Sequence, residues 1–568
     1  MPQQPLRSPA IVALPCLSCL LGLLGLHATA QAQAAPDAGS IRQQIEQQRE
    51  QRLPAAQAQP PAQAQPPAPL QPQAGVTVTL RAIRVSGNQL LAEAQLAPAT
   101  AGFLNRPLGF ADLQAAAAAV ASAYREAGWV ARVYLPEQDL GAGVLTLQVI
   151  EARYGGQRFE GTPPTRVSPA RIEGLFDAAQ PQGQPLSATA IDRALLLADD
   201  LPGVSVTGTL AAGPAPGETS LLLRASDDSL LSGDVGVDNF GPRSTGRLRL
   251  SAGLQLNSAF GQGEQLGVNL LHSKGNDYGR AALALPVGSH GLRLGLSAST
   301  LRYKIVAGPG YDSAARIHGS SGSLGADLNY PLLRARLHNL FLSAGLESKS
   351  FVTRDLELRS DYRSRSLSLG LLGNRFDEWG GGGATSGSLQ WQQGRLGDMK
   401  AHPLLGGIDR SYRKLNYSLS RQQAITTGHS LWLGIVGQHA TQVLDSSEKF
   451  YIGGFNSVRA YPATELGGER GRVLSAEWRW RVQASTTLSA FADWGQVTAL
   501  ATAAGQQDAT LRLRGHGLSA SWQGPAGLML KASWARRSGK NPMPTASGSD
   551  GDGTLRLNRL WLSANLYF

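Results

Sequence analysis

The chain has 568 residues, 42% of them hydrophobic, and a net charge of +11, too long for one ordinary domain. Both cysteines, Cys16 and Cys19, lie in one apolar run near the N-terminus, so a chain cut beyond that run has no disulfide, thiolate metal site or cysteine nucleophile. The charge is uneven: Gly75 to Ala225 holds 11 Arg against 13 acids, whereas Ser226 onward holds 37 Lys and Arg against 25 acids. Without a basic–aromatic signature this argues against nucleic acid, and it points to cations in a wet channel or facing anionic lipid.

The first 30 residues read as a signal peptide. Arg7 gives a basic start, Ile11–Leu26 an apolar core too short to span a bilayer as an anchor, and Ala28-Thr29-Ala30 an A-x-A cleavage site. Residues 31–53 hold a polar helix, Ser40–Leu53, with Ser40 and Gln43 as a capping box and Pro54 as its stop. Only Ile41, Ile45 and Leu53 are apolar, so this helix belongs in water or in a water-filled cavity. A Pro/Gln/Ala tether follows over residues 54–75 and should be extended and semi-rigid.

Residues 76–152 and 153–226 form two α+β modules. In the first, "VTVTLRAIRVSGN" alternates as a strand, "ADLQAAAAAVASAYREAG" is a helix, and "WVARVYLP" and "GVLTLQVIEA" are strands. In the second, "SPARIEGLFDAA" and "SATAIDRALLLADD" are helices between the strands "ARYGGQRFEG", "GVSVTGTL" and "SLLLRA". The shared order β-α-α-β-β makes an internal repeat of about 75 residues.

Residues 227–568 change texture again. No run of 18 apolar residues occurs; instead segments of about ten residues alternate apolar with polar, such as "RLRLSAGLQLN" and "SLWLGIVGQHA". About sixteen such segments, joined by alternately tight and long connections, predict a transmembrane β-barrel. "VGSH", "QAS" and "GPA" are tight, whereas 303–320, 396–411, 440–471 and 537–554 are long. The last segment, "RLWLSANLYF", ends the chain on an aromatic; Trp561 and Phe568 are candidates for a signal read by the outer-membrane assembly machinery.

Four stretches carry a family resemblance. "ADLQAAAAAVASAYREAGWVARVYLPEQDLGAGVLTLQVIEA" and "IDRALLLADDLPGVSVTGTLAAGPAPGETSLLL" resemble two POTRA domains, "DVGVDNFGPRSTGRLRL" a first barrel hairpin, and "GGFNSVRAYP" a signature loop. Together they are similar to the two-partner-secretion transporters (the TpsB family, of the ShlB/FhaC/HecB haemolysin secretion/activation type) within the Omp85 superfamily. The resemblance implies a plug helix, two periplasmic POTRA domains and an outer-membrane barrel. It also implies that loop 440–471 folds into the lumen through Val458, Arg459, Ala460 and Tyr461, with Arg459 meeting an acid in the motif Phe491-x-Asp493-x-Gly495. Alternation agrees, because the apolar partners of Asp493 and Glu477 must face lipid and so turn both acids inward. Two departures stand out: Ala460 replaces a usual Gly and loses easy access to positive φ, and Glu469 stands where Asp is expected.

The implied function is export of a partner exoprotein with an N-terminal secretion domain, of the adhesin or haemolysin type, through the outer membrane of a Gram-negative bacterium. An insertase of the same superfamily is the alternative. The chain is expected to act as a monomer in contact with lipid and lipopolysaccharide, with no cofactor or metal. No G-x-S-x-G or H-E-x-x-H occurs and the eight histidines after His27 are scattered, so no enzyme is expected.

Overall fold

The computed structural model describes residues 36–50, 77–307, 317–355, 358–400, 408–502 and 506–568. The proposed signal peptide and tether lie outside these residues. Helix α1 spans Ala38–Glu50. It starts two residues before the sequence reading because Asp37, not Ser40, caps it. The Asp37 carboxylate accepts the Ser40 N–H at 2.8 Å, and the Ser40 hydroxyl accepts the Asp37 N–H at 3.1 Å.

The first module has a three-stranded sheet. Ala82–Ser86 runs parallel to the central strand Val144–Glu151, and Ala131–Tyr134 runs antiparallel to it. The second module repeats this order with Arg153–Phe159, Glu218–Asp227 and Val204–Ala212. The repeat is therefore topological as well as sequential.

Each module also has two helices: α2 (Glu93–Thr100) and α3 (Phe110–Glu126), then α4 (Pro169–Ala179) and α5 (Ala188–Asp199). The β-α-α-β-β order calls for two helices in each module, but no stretch of the sequence marks α2. Pro98 lies inside it, and its N-cap, Ala92, has no side chain to cap the first turn; the Gln95 side chain accepts the Ala92 N–H at 2.9 Å instead. Helix α3 buries Leu113, Ala117, Val120 and Tyr124, at helical spacing, against the alternate strand residues Leu145, Leu147 and Val149. The Tyr124 hydroxyl donates to Glu151 at 2.8 Å; burial, reinforced by that carboxylate, pushes the phenol well above its usual range.

The modules are stitched by backbone. Val130 donates to Leu186 at 3.1 Å, Ala188 to Gly128 at 2.9 Å, and Leu186 to Ala152 at 2.8 Å. The second module then meets the barrel at the turns around Arg334 and Gly261. Asp200, just beyond α5, accepts two bonds of 2.8 Å from Arg334, and Asp192 pairs with Arg336 at 2.7 Å. Arg193 donates to the Pro331 carbonyl at 2.8 Å, and Ser168 to the Gly261 carbonyl at 2.9 Å.

Among the described residues sixteen antiparallel strands close into a barrel, from Leu231–Asp238 to Asn558–Tyr567. Closure pairs Ser563 with Asp238 through Tyr567 with Asp234. Phe568 extends it by exchanging backbone bonds of 2.9 and 3.0 Å with Gly233. Asn239 extends the other end, its amide donating to the Leu560 carbonyl at 3.0 Å and accepting the Leu562 N–H at 2.9 Å. A closed ring leaves no unpaired edge in hydrocarbon. Several strands exceed the ten-residue expectation: the eighth, Leu358–Asp377, has 20 residues. About 9–11 tilted residues suffice to cross a bilayer, so these strands project beyond it.

The bidentate Asp200–Arg334 pair makes a specific demand. Asp200→Ala should leave the barrel intact yet loosen the second module. Spin labels at Asp177 and Gln262 should then report a broader distance distribution than in the parent; an unchanged width would assign the docking to other contacts.

Candidate functional site

The connection between the eleventh strand (His429–Ala440) and the twelfth (Arg470–Gln483) folds back into the barrel. It begins with a short 3-10 helix, Ser446–Glu448, and continues as a small hairpin, Phe450–Ile452 against Leu466–Gly468. The hairpin tip carries Val458, Arg459, Ala460 and Tyr461, and Tyr461 closes a turn by donating to the Val458 carbonyl at 3.2 Å. Val458, Ala460 and Tyr461 are fully buried with Phe450, Ile452 and Leu466 against the wall residues Val473, Val497 and Leu513.

Arg459 sits at the centre of this packing. Its Nε and Nη2 donate to the two Asp493 oxygens at 2.8 and 2.7 Å, and its Nη1 donates to Glu477 at 2.7 Å. The fork thus reads one carboxylate bidentately and a second at its free corner. Its guanidinium carbon lies 3.4 Å from the centre of the Phe491 ring. Asp493 also accepts the Arg459 backbone N–H at 3.2 Å and the Ser475 hydroxyl at 2.9 Å. Arg459 and Asp493 are only 6% and 3% exposed, so the pair is shielded rather than set in a hydrated channel. Glu477 is held in turn by Arg479 at 2.8 Å.

Gly495 and Gly515 make this seat possible. A Cβ on Gly495 would stand 2.7 Å from Val458, and one on Gly515 would stand 2.5 Å from the Ala460 methyl. Ala460 itself avoids positive φ, so the loop seats without the glycine that the family pattern has there. Glu469 uses its extra methylene at the loop base, accepting from the Leu500 N–H at 2.8 Å and pairing with Lys449 at 3.1 Å.

The sequence reading grouped Trp561 with Phe568, and the structure separates them. Period-two alternation turns Trp561 inward, where its indole donates to the Arg459 carbonyl at 2.7 Å. Phe568 stays on the outer surface, 58% exposed. Trp561 also lies edge-on to Phe240, which stacks on Phe455 of the loop with centroids 3.8 Å apart. The loop therefore touches the last strand and the segment that follows the first, on both sides of the closing seam. Sequence reasoning missed Phe240, Phe455, Ser475 and Gly515; the alternation that places Asp493 inward also places Ser475 and Gly515 inward, but nothing local pairs them with the loop.

Helix α1 occupies the lumen beside this loop. Arg42 is buried and donates to Ser299 at 2.6 Å, to Ser321 at 3.1 Å and to Ser323, all inward residues of the fifth and sixth strands. Glu46 accepts from the Tyr278 hydroxyl at 3.0 Å, and Gln48 from Arg249. The helix start touches the loop: Ser446 donates to Asp37 at 2.6 Å, and Gly39 lets the backbone approach Ser447 closely. Lys349 and Lys414 of the wall hold Glu448 at 3.2 and 2.8 Å. Ile41 and Ile45 are the apolar residues that α1 buries besides Ala38.

Comparison with known proteins agrees with this architecture. The model of the haemolysin secretion/activation protein ShlB/FhaC/HecB family matches residues 217–522, more than half of the chain. This chain belongs to the ShlB/FhaC/HecB family. A ShlB-type POTRA domain matches residues 78–152. The heme/hemopexin transporter protein HuxB of Haemophilus influenzae strain 86-028NP is 25% identical, over 83% of this chain and 85% of that protein. The outer membrane transporter CdiB of Dickeya dadantii strain 3937 is 25% identical, over 86% and 87%. Of solved structures, CdiB from Escherichia coli superposes with a TM-score of 0.70 at 21% identity, over 94% of this chain and all of that one. BamA from Haemophilus ducreyi lacking POTRA domains 1–3 gives 0.53 at 15%, over 87% and all of that chain, a likeness of fold. As a ShlB/FhaC/HecB-type transporter the chain is a two-partner-secretion protein of the outer membrane, with POTRA domains in the periplasm.

The site predicts two graded losses. Asp493→Ala leaves a buried guanidinium half-compensated and should cost about 3–5 kcal/mol of loop docking. Gly495→Ala should cost about 1–3 kcal/mol by overpacking Val458. Protease sensitivity of loop 441–469 in detergent checks both; equal protection of parent and both variants would contradict the clasp.

Proposed function

We propose that this chain exports one partner exoprotein through its own lumen and that α1 is the removable plug of that path. The exoprotein arrives unfolded, with an N-terminal secretion domain, and an extended segment adds to an open sheet edge of the POTRA modules. Both three-stranded sheets offer such an edge at their antiparallel strand, Ala131–Tyr134 and Val204–Ala212. Folding of the passenger outside supplies the drive, since a periplasmic path has no ATP. The aromatic end at Phe568 serves the assembly machinery, and the barrel works as a monomer among outer-membrane lipids and lipopolysaccharide.

The observation that carries this reading is the contrast between the two lumen occupants. The loop tip is set in an apolar cluster and a shielded ion pair, whereas α1 is held mostly by hydroxyls and amides that water can replace. Polar contacts exchange with water at little net cost, so α1 is the part that can leave. The tether at 54–75 gives it length to do so. The insertase reading has only the fold shared with BamA behind it, and the family match favours secretion.

Deleting residues 37–50 should raise single-channel conductance, and a conductance equal to the parent's would remove the plug. Depleting the protein should silence one secreted exoprotein while other outer-membrane proteins keep their levels; a general fall in those proteins would favour the insertase.

A further inference from the structure

The basic excess of the barrel region divides between the two faces of its wall, and the faces treat it differently. Inside, several cations are matched: Arg249 with Asp238, Arg459 with Asp493, Arg559 with Asp550, and Lys349 and Lys414 with Glu448. Outside, near the end of the barrel opposite the POTRA modules, basic residues face one another. Lys304 stands opposite His318, His318 opposite Arg354, and Arg354 opposite Arg359, a row across four neighbouring strands. Arg365 stands opposite Arg395 on the next pair of strands.

All of these side chains are exposed, and the inward positions between them are taken by buried Tyr303, Phe351 and Ser364. Like charges directly opposite one another destabilise a sheet. Lys304, Arg354, Arg365 and Arg395 have no carboxylate partner among the described residues. Two exposed, single contacts soften the strip, Arg359 with Asp361 at 3.1 Å and Arg363 with Asp398 at 3.5 Å.

The position of the strip says what it meets. On the eighth strand Leu367, Leu369 and Leu371 follow Arg365 on the same outer face, all exposed to lipid, so Arg365 lies at the rim of the apolar band. Arg359 lies six residues further out, roughly 14 Å higher along the membrane normal for a strand tilted near 45°. The strip therefore begins where outer-leaflet headgroups begin and continues into the sugar layer above them. Guanidinium forks bind phosphate bidentately.

We propose that this strip, Lys304, Arg354, Arg359, Arg365 and Arg395, is a binding site for the phosphates of lipopolysaccharide. The proposal rests on the outer-membrane placement of the barrel, not on what the lumen conducts. An inner-leaflet phospholipid is the wrong source, because the second POTRA module docks at the other end of the same strands, against Arg334 and Arg336.

The test titrates full-length protein in non-ionic detergent with bisphosphorylated lipid A, dephosphorylated lipid A and phosphatidylglycerol. Bisphosphorylated lipid A should bind most tightly of the three. R365Q/R395Q should weaken that binding by about tenfold or more, whereas R365K/R395K, which keeps the charge but not the fork, should lose less than R365Q/R395Q. Conductance and exoprotein secretion should be unchanged in R365Q/R395Q, which separates failure of this site from failure of the transport reading. Should that variant not give a folded barrel, R354Q/R359Q carries the same comparison. Equal affinity for phosphatidylglycerol, equal affinity for dephosphorylated lipid A, or undiminished binding by the glutamine variants would overturn the proposal.

Discussion

In hydrocarbon a backbone N–H or C=O without a partner costs several kcal/mol, and this chain meets that constraint by closing sixteen strands into a ring. Most of the architecture follows. A ring this wide encloses a lumen, and half of every strand must face it. The lumen therefore collects polar and charged side chains, which need partners once the loop and helix exclude water from around them. Arg459 with Asp493 and Glu477 is one such match, and Arg249 with Asp238, each 5% exposed, is another.

The two occupants of the lumen are held by different physics. The loop tip combines dispersion, a bidentate ion pair and an aromatic stack against Phe240, and its contacts reach both sides of the seam. Its anchoring is local, dense and costly to break. Helix α1 adds Arg42 and Glu46 contacts to serines and a tyrosine, with two isoleucines as its main apolar load. The two meet at Asp37 and Ser446, where the helix cap and the loop base share a hydrogen bond. The contact between α1 and the loop thus lies at the loop base, away from the tip at Arg459.

What the sequence made legible follows from the length scale of each signal. Strand alternation is local, so the barrel and the inward sides of Asp493 and Glu477 could all be read directly. The Arg459–Asp493 contact bridges 34 residues and came from family resemblance supported by alternation, not from any local pattern. Three features escaped. Helix α2 has a proline and a weak cap, so propensity hides it. The α1 start was misplaced because Ser40 does form a reciprocal cap, but as the third helical residue answering Asp37. Trp561 is grouped with Phe568 as an aromatic of the last strand, although their separation of seven positions puts the two on opposite faces; its bond to Arg459 spans 102 residues. Gly515 shows the general limit, since a glycine in a strand reveals a close approach but not what approaches.

The central claim is that the lumen is the export path and that α1 must leave it. Because both native cysteines lie in the proposed signal peptide, a single engineered pair can test this cleanly. Ala38 and Thr353 are in contact, the backbone N–H of one 3.3 Å from the hydroxyl of the other. With both changed to cysteine, oxidation should lock α1 to the wall and stop secretion of the partner exoprotein, and reductant should restore it. Secretion at the parent's rate with the crosslink fully formed would contradict the account.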